Sequence, residues 1–338
     1  MTNATKTLSI VFVGTLLLAL GVSWRGSDTS SEAFQGQLLP VDTSVVQAVR
    51  IERANEPSVR LEQGDGGWSV VPSDTSVAFP ANEEAVRRLL SSLPGLQVDA
   101  VVTRQSSKHP RYGVDSTGTA ITMLGSGDET LGQLIVGRTR IRRPQSRNQG
   151  RSRMRQMRRR RGTPITYVRS PNRTDVYSIE QSLQSITSRS VEDWRDKVIW
   201  NVDRADIQRV DFTFPGDSSF TMRRPSNSDT SSAVGPSTWV AGGDTLASRK
   251  ATFALRTLST LEANSFASGV APNEVGPARH TIRLHLSDGT QRTLQLRPAP
   301  SGDAYRATAE GYNYVARLQR DTWDSRVLRQ RAAYLDSN

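Results

Sequence analysis

The feature that most constrains this chain is a long internal repeat. "VDTSVVQAVRI" (residues 41–51) returns as "VDRADIQRVDF" (202–212), 161 positions on, with Asp42 against Asp203, Val46 against Ile207 and Val49 against Val210. An Asp ahead of a helical turn caps its free N–H groups, and the apolar residue at the end begins a strand. "GGWSVV" (66–71) has its partner in "STWVAG" (237–242), where Trp68 and Trp239 each follow a Gly/Ser-rich turn. A helical stretch comes next in both halves, 82–93 and 248–261. In the first, Val86, Leu89, Leu90 and Leu93 fall on one apolar face, and Asn82 is placed to cap the N-terminus. "TAITML" (119–124) then matches "HTIRLHL" (280–286), with Ile121 against Ile282 at the same offset. "LGQLIVG" (131–137) matches "RTLQLRP" (292–298), and residues 166–186 match 304–324, with Tyr167 against Tyr305 and Tyr177 against Tyr314.

Alternation such as Ile282, Leu284, Leu286 against Thr281, Arg283, His285 describes strands with one buried face. Each repeat reads as about three strands, a helix, four or so further strands and a closing helix. The expected fold is α+β: two tandem, structurally similar repeats over 41–201 and 202–338, with largely antiparallel sheets and helices on one face. Pro225–Pro236, rich in Ser, Asn and Asp, reads as a loop.

The last pair of matches has a smaller offset, so the first repeat carries about 24 further residues between two strands. They form "RTRIRRPQSRNQGRSRMRQMRRRRG" (138–162), with twelve arginines and no acid. The net charge is +11, so the body outside this stretch is nearly neutral. The stretch reads as an insert in a hairpin loop of one repeat. Few apolar residues are available to fold it, and disorder is expected. Arg151, Arg153, Arg155, Arg158, Arg159, Arg160 and Arg161 are its candidate contacts to an anionic lipid or polymer surface. Nucleic acid is the competing ligand. The absence of interleaved aromatic residues argues against it, as does export of the body.

Export is inferred from the start of the chain. Lys6 is followed by "TLSIVFVGTLLLALGVSW" (7–24), uncharged until Arg25 and close to the length a bilayer core requires. A cleaved signal peptide is the competing reading, with Ala19-Leu20-Gly21 as its cleavage site. The expectation is a single transmembrane helix within 1–25, anchored in the inner (cytoplasmic) membrane with the body outside the cytoplasm. Residues 26–40, small and polar, form the expected linker. The chain has no cysteine, which excludes disulfides, thiolate chemistry and cysteine metal sites.

The amino-terminal anchor, "VDTS", "GGWSV", "YGV" (112–114) ahead of the "AITM" strand, "VYSI" and "DWRDK" (193–197) together resemble the bacterial "domain of unknown function" family numbered 4340. The resemblance covers nearly the whole chain after the linker. It rests on order and spacing, and the Arg-rich insert is not part of the pattern. It implies a membrane-anchored accessory protein associated with an ABC-type or gliding-motility-like transport system. It supplies no catalytic residue.

No motif for nucleophilic, metal or phosphate chemistry appears. His280 and His285 fall on opposite faces of a strand, and His109 precedes Pro110 in a turn, so all three are expected as solvated or edge histidines. In "VEDWRDKVI", Glu192, Asp193 and Asp196 surround Arg195 and Lys197, the pattern of a solvated salt-bridge network. Trp194 and Arg195 are the candidate partner contact, at the junction between repeats. Trp68 and Trp239 are expected in the core. The expectation is a non-enzymatic binding or scaffolding protein without cofactor or metal, an accessory subunit of an ABC-type transport system. The alternative is a polyanion or nucleic-acid binder acting through the insert.

Overall fold

The computed structural model describes residues 38–73, 77–143, 162–216, 218–225 and 238–335. The expected anchor at 1–25, most of the linker and the arginines 151–161 lie outside them. Among the described residues no helix is long and apolar enough to cross a membrane.

The chain divides into two compact units, one ending at Trp194 and the other beginning at Arg195. The first holds β1 (Ala48–Glu52), β2 (Val59–Gly64), β3 (Gly67–Pro72), β4 (Phe79–Pro80), helix α1 (Glu83–Ser92), β5 (Ala100–Thr103), β6 (Thr119–Leu124), β7 (Thr130–Arg142), β8 (Thr163–Arg169) and β9 (Val176–Ile179). These strands form one nine-stranded sheet in the order β4-β3-β2-β1-β6-β7-β8-β9-β5.

The second unit holds β10 (Val198–Asn201), β11 (Ile207–Thr213), β12 (Phe220–Arg223), β13 (Val240–Ala241), β14 (Asp244–Thr245) and helix α2 (Ser248–Ser259). After α2 come β15 (Thr260–Glu262), β16 (Ser265–Phe266), β17 (His280–Leu286), β18 (Gln291–Pro298), β19 (Ala304–Ala309) and β20 (Ala316–Gln319). Its main sheet runs β14-β13-β12-β11-β17-β18-β19-β20-β16, the same path as in the first unit, beside a small β10–β15 ladder. The pairings are antiparallel in both.

The repeat is therefore a repeat of fold, and it holds at the level of register. Ile51 faces Ile121 in the first sheet, and Phe212 faces Ile282 in the second. Ile121 in turn faces Leu134, as Ile282 faces Leu294. All of these side chains are buried. One sequence pair is out of place: Tyr177 lies within β9, whereas Tyr314 sits just ahead of β20.

Both helices close over their sheet by burying one stripe. α1 turns Ala85, Val86 and Leu89 into the same core as Val59, Leu61 and Ile121, each fully buried Val or Leu stabilising by about 1.5–3 kcal/mol. Asn82 caps it, its side chain accepting the Ala85 N–H at 2.8 Å, and Glu83 and Glu84 complement the positive helix end. α2 buries Ala251, Ala254, Leu255 and Leu258 but begins at Ala247, which has no side chain able to cap.

Two boundaries differ from the sequence reading. Residues 195–201 go with the second unit, because β10 pairs with β15 through Val198↔Glu262 and Asn201↔Thr260. The linker ends earlier than expected, since Leu38 and Leu39 are already buried in the first core. Gly132 makes room for Leu39 and Val41: a Cβ there would lie 2.8 Å from Leu39 Cδ1 and 2.6 Å from Val41 Cγ2.

The insert interrupts a hairpin, but its first five residues, 138–142, belong to strand β7, where the sequence suggests disorder. β7 and β8 pair out to Arg142↔Thr163, so residues 143–162 connect the two ends of one ladder.

Candidate functional site

The described part of the sequence-predicted contact is buried. Trp194 closes the short helix Val191–Trp194 and has no exposed surface; its carbonyl accepts the Asn82 N–H at 2.7 Å. The Arg189 guanidinium lies 5.0 Å from the centre of its ring. Ser190 caps the same turn, its hydroxyl accepting the Asp193 N–H at 3.2 Å and donating to the Asp193 carboxylate at 2.8 Å. Arg195 is 8% exposed, and its guanidinium carbon stands 3.5 Å from the centre of the Phe266 ring and 5.1 Å from that of Tyr314. A cation stacked on aromatic faces inside a fold is a packing element. Neither side chain presents the solvent-facing contact, nor Arg195 the solvated charge, that the sequence suggests.

The histidines separate as alternation requires, but they are less exposed than expected. His109 is buried at the start of the turn His109–Tyr112, its Nε2 2.8 Å from the Thr174 carbonyl. That turn ends at Gly113 with φ +66°, a left-handed cap that accounts for the glycine of "YGV". His280 stands edge-on to Phe214 and Tyr305, and burial, with Arg279 and Arg320 nearby, pulls its imidazole below the usual value against the pull of Asp324. The Tyr305 hydroxyl donates to Asp324 at 2.6 Å, and burial followed by that bond pushes its pKa up to about 12.

On the other face of β17, His285 Nε2 lies 2.7 Å from Asp211, which also accepts from Arg209 at 2.7 Å and from the Thr221 hydroxyl at 2.7 Å. Burial works against the Asp211 charge, and the three donors outweigh it, so this carboxyl ionises below the usual aspartate range. A hydroxyl, a histidine and a carboxylate thus meet, but the wiring is wrong for nucleophilic catalysis. The hydroxyl donates to the carboxylate and not to the imidazole, so no base activates it. The cluster is a cross-strand polar ladder. Among the described residues no three metal-ligating side chains converge.

Two grooves occupy the same place in each unit. Both lie beside a tryptophan in or next to a strand (Trp68 within β3, Trp239 just ahead of β13), the turn that precedes β1 or β11, and the central helix. In the first unit the groove has a volume of about 310 Å³ and is lined by Thr43, Ser44, Trp68, Glu83, Arg87 and Leu90, with Ser91. In the second it reaches about 540 Å³, and Arg204, Arg224, Trp239, Leu255 and Arg256 are among its walls. The backbone explains the likeness. The Trp68 carbonyl accepts the Ala81 N–H at 2.9 Å and the Trp239 carbonyl accepts the Leu246 N–H at 2.8 Å, in each case two residues ahead of the helix. Trp68 and Trp239 pack on their cores as expected, Trp239 being the more deeply buried. Sequence reasoning missed both grooves. The Asp42/Asp203 match was the available signal, since each groove is built against the turn that those residues cap.

A family model described as a domain of unknown function, DUF4340, matches residues 70–145 and 160–279. That is more than half of the chain, and the match breaks inside the Arg-rich insert. No curated protein and no solved structure matches the chain.

Proposed function

Taking as premise that the chain belongs to the DUF4340 family, we propose that it is a non-enzymatic, membrane-anchored binding or scaffolding protein. Residues 7–24 hold it in the inner membrane, the two units stand outside the cytoplasm, and it serves as an accessory subunit of an ABC-type transport system. The observation that carries this reading is the divergence of the two grooves. The units keep one strand order and one set of core registers, yet equivalent grooves differ in size and charge. A second copy kept only for its bulk has no need of a different groove. A copy that presents a surface to a different ligand or partner does.

The test is recovery of partners. The full chain, tagged at its C-terminus and extracted from native membranes in mild detergent, is expected to bring transporter subunits with it. A chain lacking residues 1–25 is expected in the soluble fraction as a folded body. Recovery of no membrane protein with the full chain would sink the accessory role. Retention of the truncated chain in salt-washed membranes would sink the single-anchor reading.

A further inference from the structure

We propose that the groove of the second unit is a binding site for a phosphate group carried by a small ligand. The first unit acts as an internal control. Arg204 stands where the first unit has Thr43, 161 positions earlier. Arg256 stands where it has Ser91, since each is the ninth residue of its central helix. Arg224 stands where it has Gln63: the Arg224 N–H donates to the Gln208 carbonyl at 3.0 Å, as the Gln63 N–H donates to that of Gln47 at 2.8 Å. Three positions that are neutral in one copy of the fold are arginine in the other, and all three line one groove. The first copy folds with Thr, Gln and Ser there, so the fold itself does not demand the charge.

The arginines are arranged for a ligand. Arg224 is held in place by backbone carbonyls, its Nε donating to Ile207 at 3.0 Å and its Nη2 to Ala205 at 3.0 Å, with the guanidinium 5.7 Å from the centre of the Trp239 ring. It supplies fixed positive charge at the floor. The guanidinium groups of Arg204 and Arg256 have no hydrogen-bond or ion-pair partner among the described residues, and both side chains are exposed. Arg256 also lies in the last turn of α2, where a cation favours the helix end. That accounts for one arginine of the three. The single acid of the lining, Asp203, has an oxygen engaged by the Ala205 N–H at 2.8 Å.

Guanidinium groups meet phosphate through paired, charge-assisted N–H donors, and two of them with free donors suit a group with several oxygens. At about 540 Å³ the groove exceeds a bare anion and is of the size that holds small organic ligands. Leu255 and Trp239 supply the apolar wall for the remainder.

The test compares the full-length protein in neutral detergent with a variant carrying Arg204→Thr and Arg256→Ser, the residues of the first unit. Both proteins retain the Arg-rich insert, so their difference isolates the groove. Titration calorimetry with inorganic phosphate at about 0.15 M salt, where surface charge is largely screened, is expected to show an affinity at least tenfold weaker in the variant. Glycerol phosphate, a phosphomonoester, and glycerophosphoglycerol, the free headgroup of phosphatidylglycerol, titrated in the same way, then separate the sources. A loss confined to phosphate and glycerol phosphate assigns a free metabolite, and a matching loss for glycerophosphoglycerol assigns a lipid headgroup. Equal phosphate affinity in the two proteins, or none in the wild type, overturns the proposal. This site goes beyond the scaffolding reading: partner recovery reports on one and phosphate affinity on the other, so either can fail alone.

Discussion

Tyr334 does for the second unit what Trp194 does for the first: its carbonyl accepts the N–H of Ala247 at 2.8 Å, as that of Trp194 accepts the N–H of Asn82 at 2.7 Å. Both aromatic residues are fully buried, and both end a four-residue helical turn at the close of their unit. Each turn fastens the start of the central helix. Trp194→Ala and Tyr334→Ala are each expected to destabilise their unit by about 3–5 kcal/mol, the range for emptying a large aromatic site. Tyr334→Phe, which loses the hydroxyl bond to the Val327 carbonyl at 2.8 Å and the long one to the Arg326 carbonyl at 3.5 Å, is expected to cost about 1 kcal/mol. Urea unfolding followed by tryptophan fluorescence measures both; an unchanged midpoint in Trp194→Ala would refute the fastening role.

The two helices begin differently, and the difference is testable. Asn82→Ala removes the side-chain bond to the Ala85 N–H and is expected to cost about 1 kcal/mol. Ala247→Gly, at the matching position without such a bond, lacks this term. Protease resistance of the two units, mapped by mass spectrometry, distinguishes them, since only Asn82→Ala is expected to loosen the α1 region.

The pH response has a definite sign at His280. Its folded pKa lies below the ordinary value of 6.5, with burial as the first cause. As pH falls through 6.5 the unfolded chain takes up the proton first, so stability declines from there down to the folded pKa and is whole above 6.5. His280→Phe is expected to flatten the decline in melting temperature between about pH 7 and pH 5. A variant whose melting temperature falls as steeply as the wild type's would mean that another group carries the response.

Much of this architecture is legible in the chain. The pairs Ile51/Phe212 and Ile121/Ile282 sit at one offset, and period-two alternation places them on buried faces, so the duplicated sheet follows from local pattern. Asn82 as a cap and the insert as a hairpin loop are equally local. Burial of charged and polar residues is not. Arg195 looks solvated beside Asp193 and Asp196 until Phe266, 71 residues on, covers it. His109 looks like a turn residue until the Thr174 carbonyl meets it. The basic groove draws its arginines from a turn, the end of a strand and a helix, which no window along the sequence brings together.

The insert separates stability from binding. Replacing residues 143–162 by a short Gly/Ser turn leaves the Arg142↔Thr163 end of the ladder to close as an ordinary hairpin, and the second unit closes the equivalent β18–β19 pair with a short turn. The expected change in unfolding midpoint is small, since loop length alters closure entropy only weakly. Adhesion to anionic vesicles or DNA is expected to fall sharply and lose most of its salt dependence. A variant that keeps its fold and loses its membrane partners would transfer the working surface from the two units to the insert.

The placement of that hairpin also makes the chain divisible. A cut between Arg143 and Gly162 leaves one fragment ending in β7 and another beginning with β8, and the ladder from Ile135↔Arg169 to Arg142↔Thr163 joins them without a peptide bond. The Ile121 neighbourhood falls on one side of the cut and Val168 with Tyr177 on the other, all within one core. Two polypeptides expressed apart are thereby equipped to reassemble into one sheet, and a foreign domain spliced between them would ride on the protein without disturbing its interior.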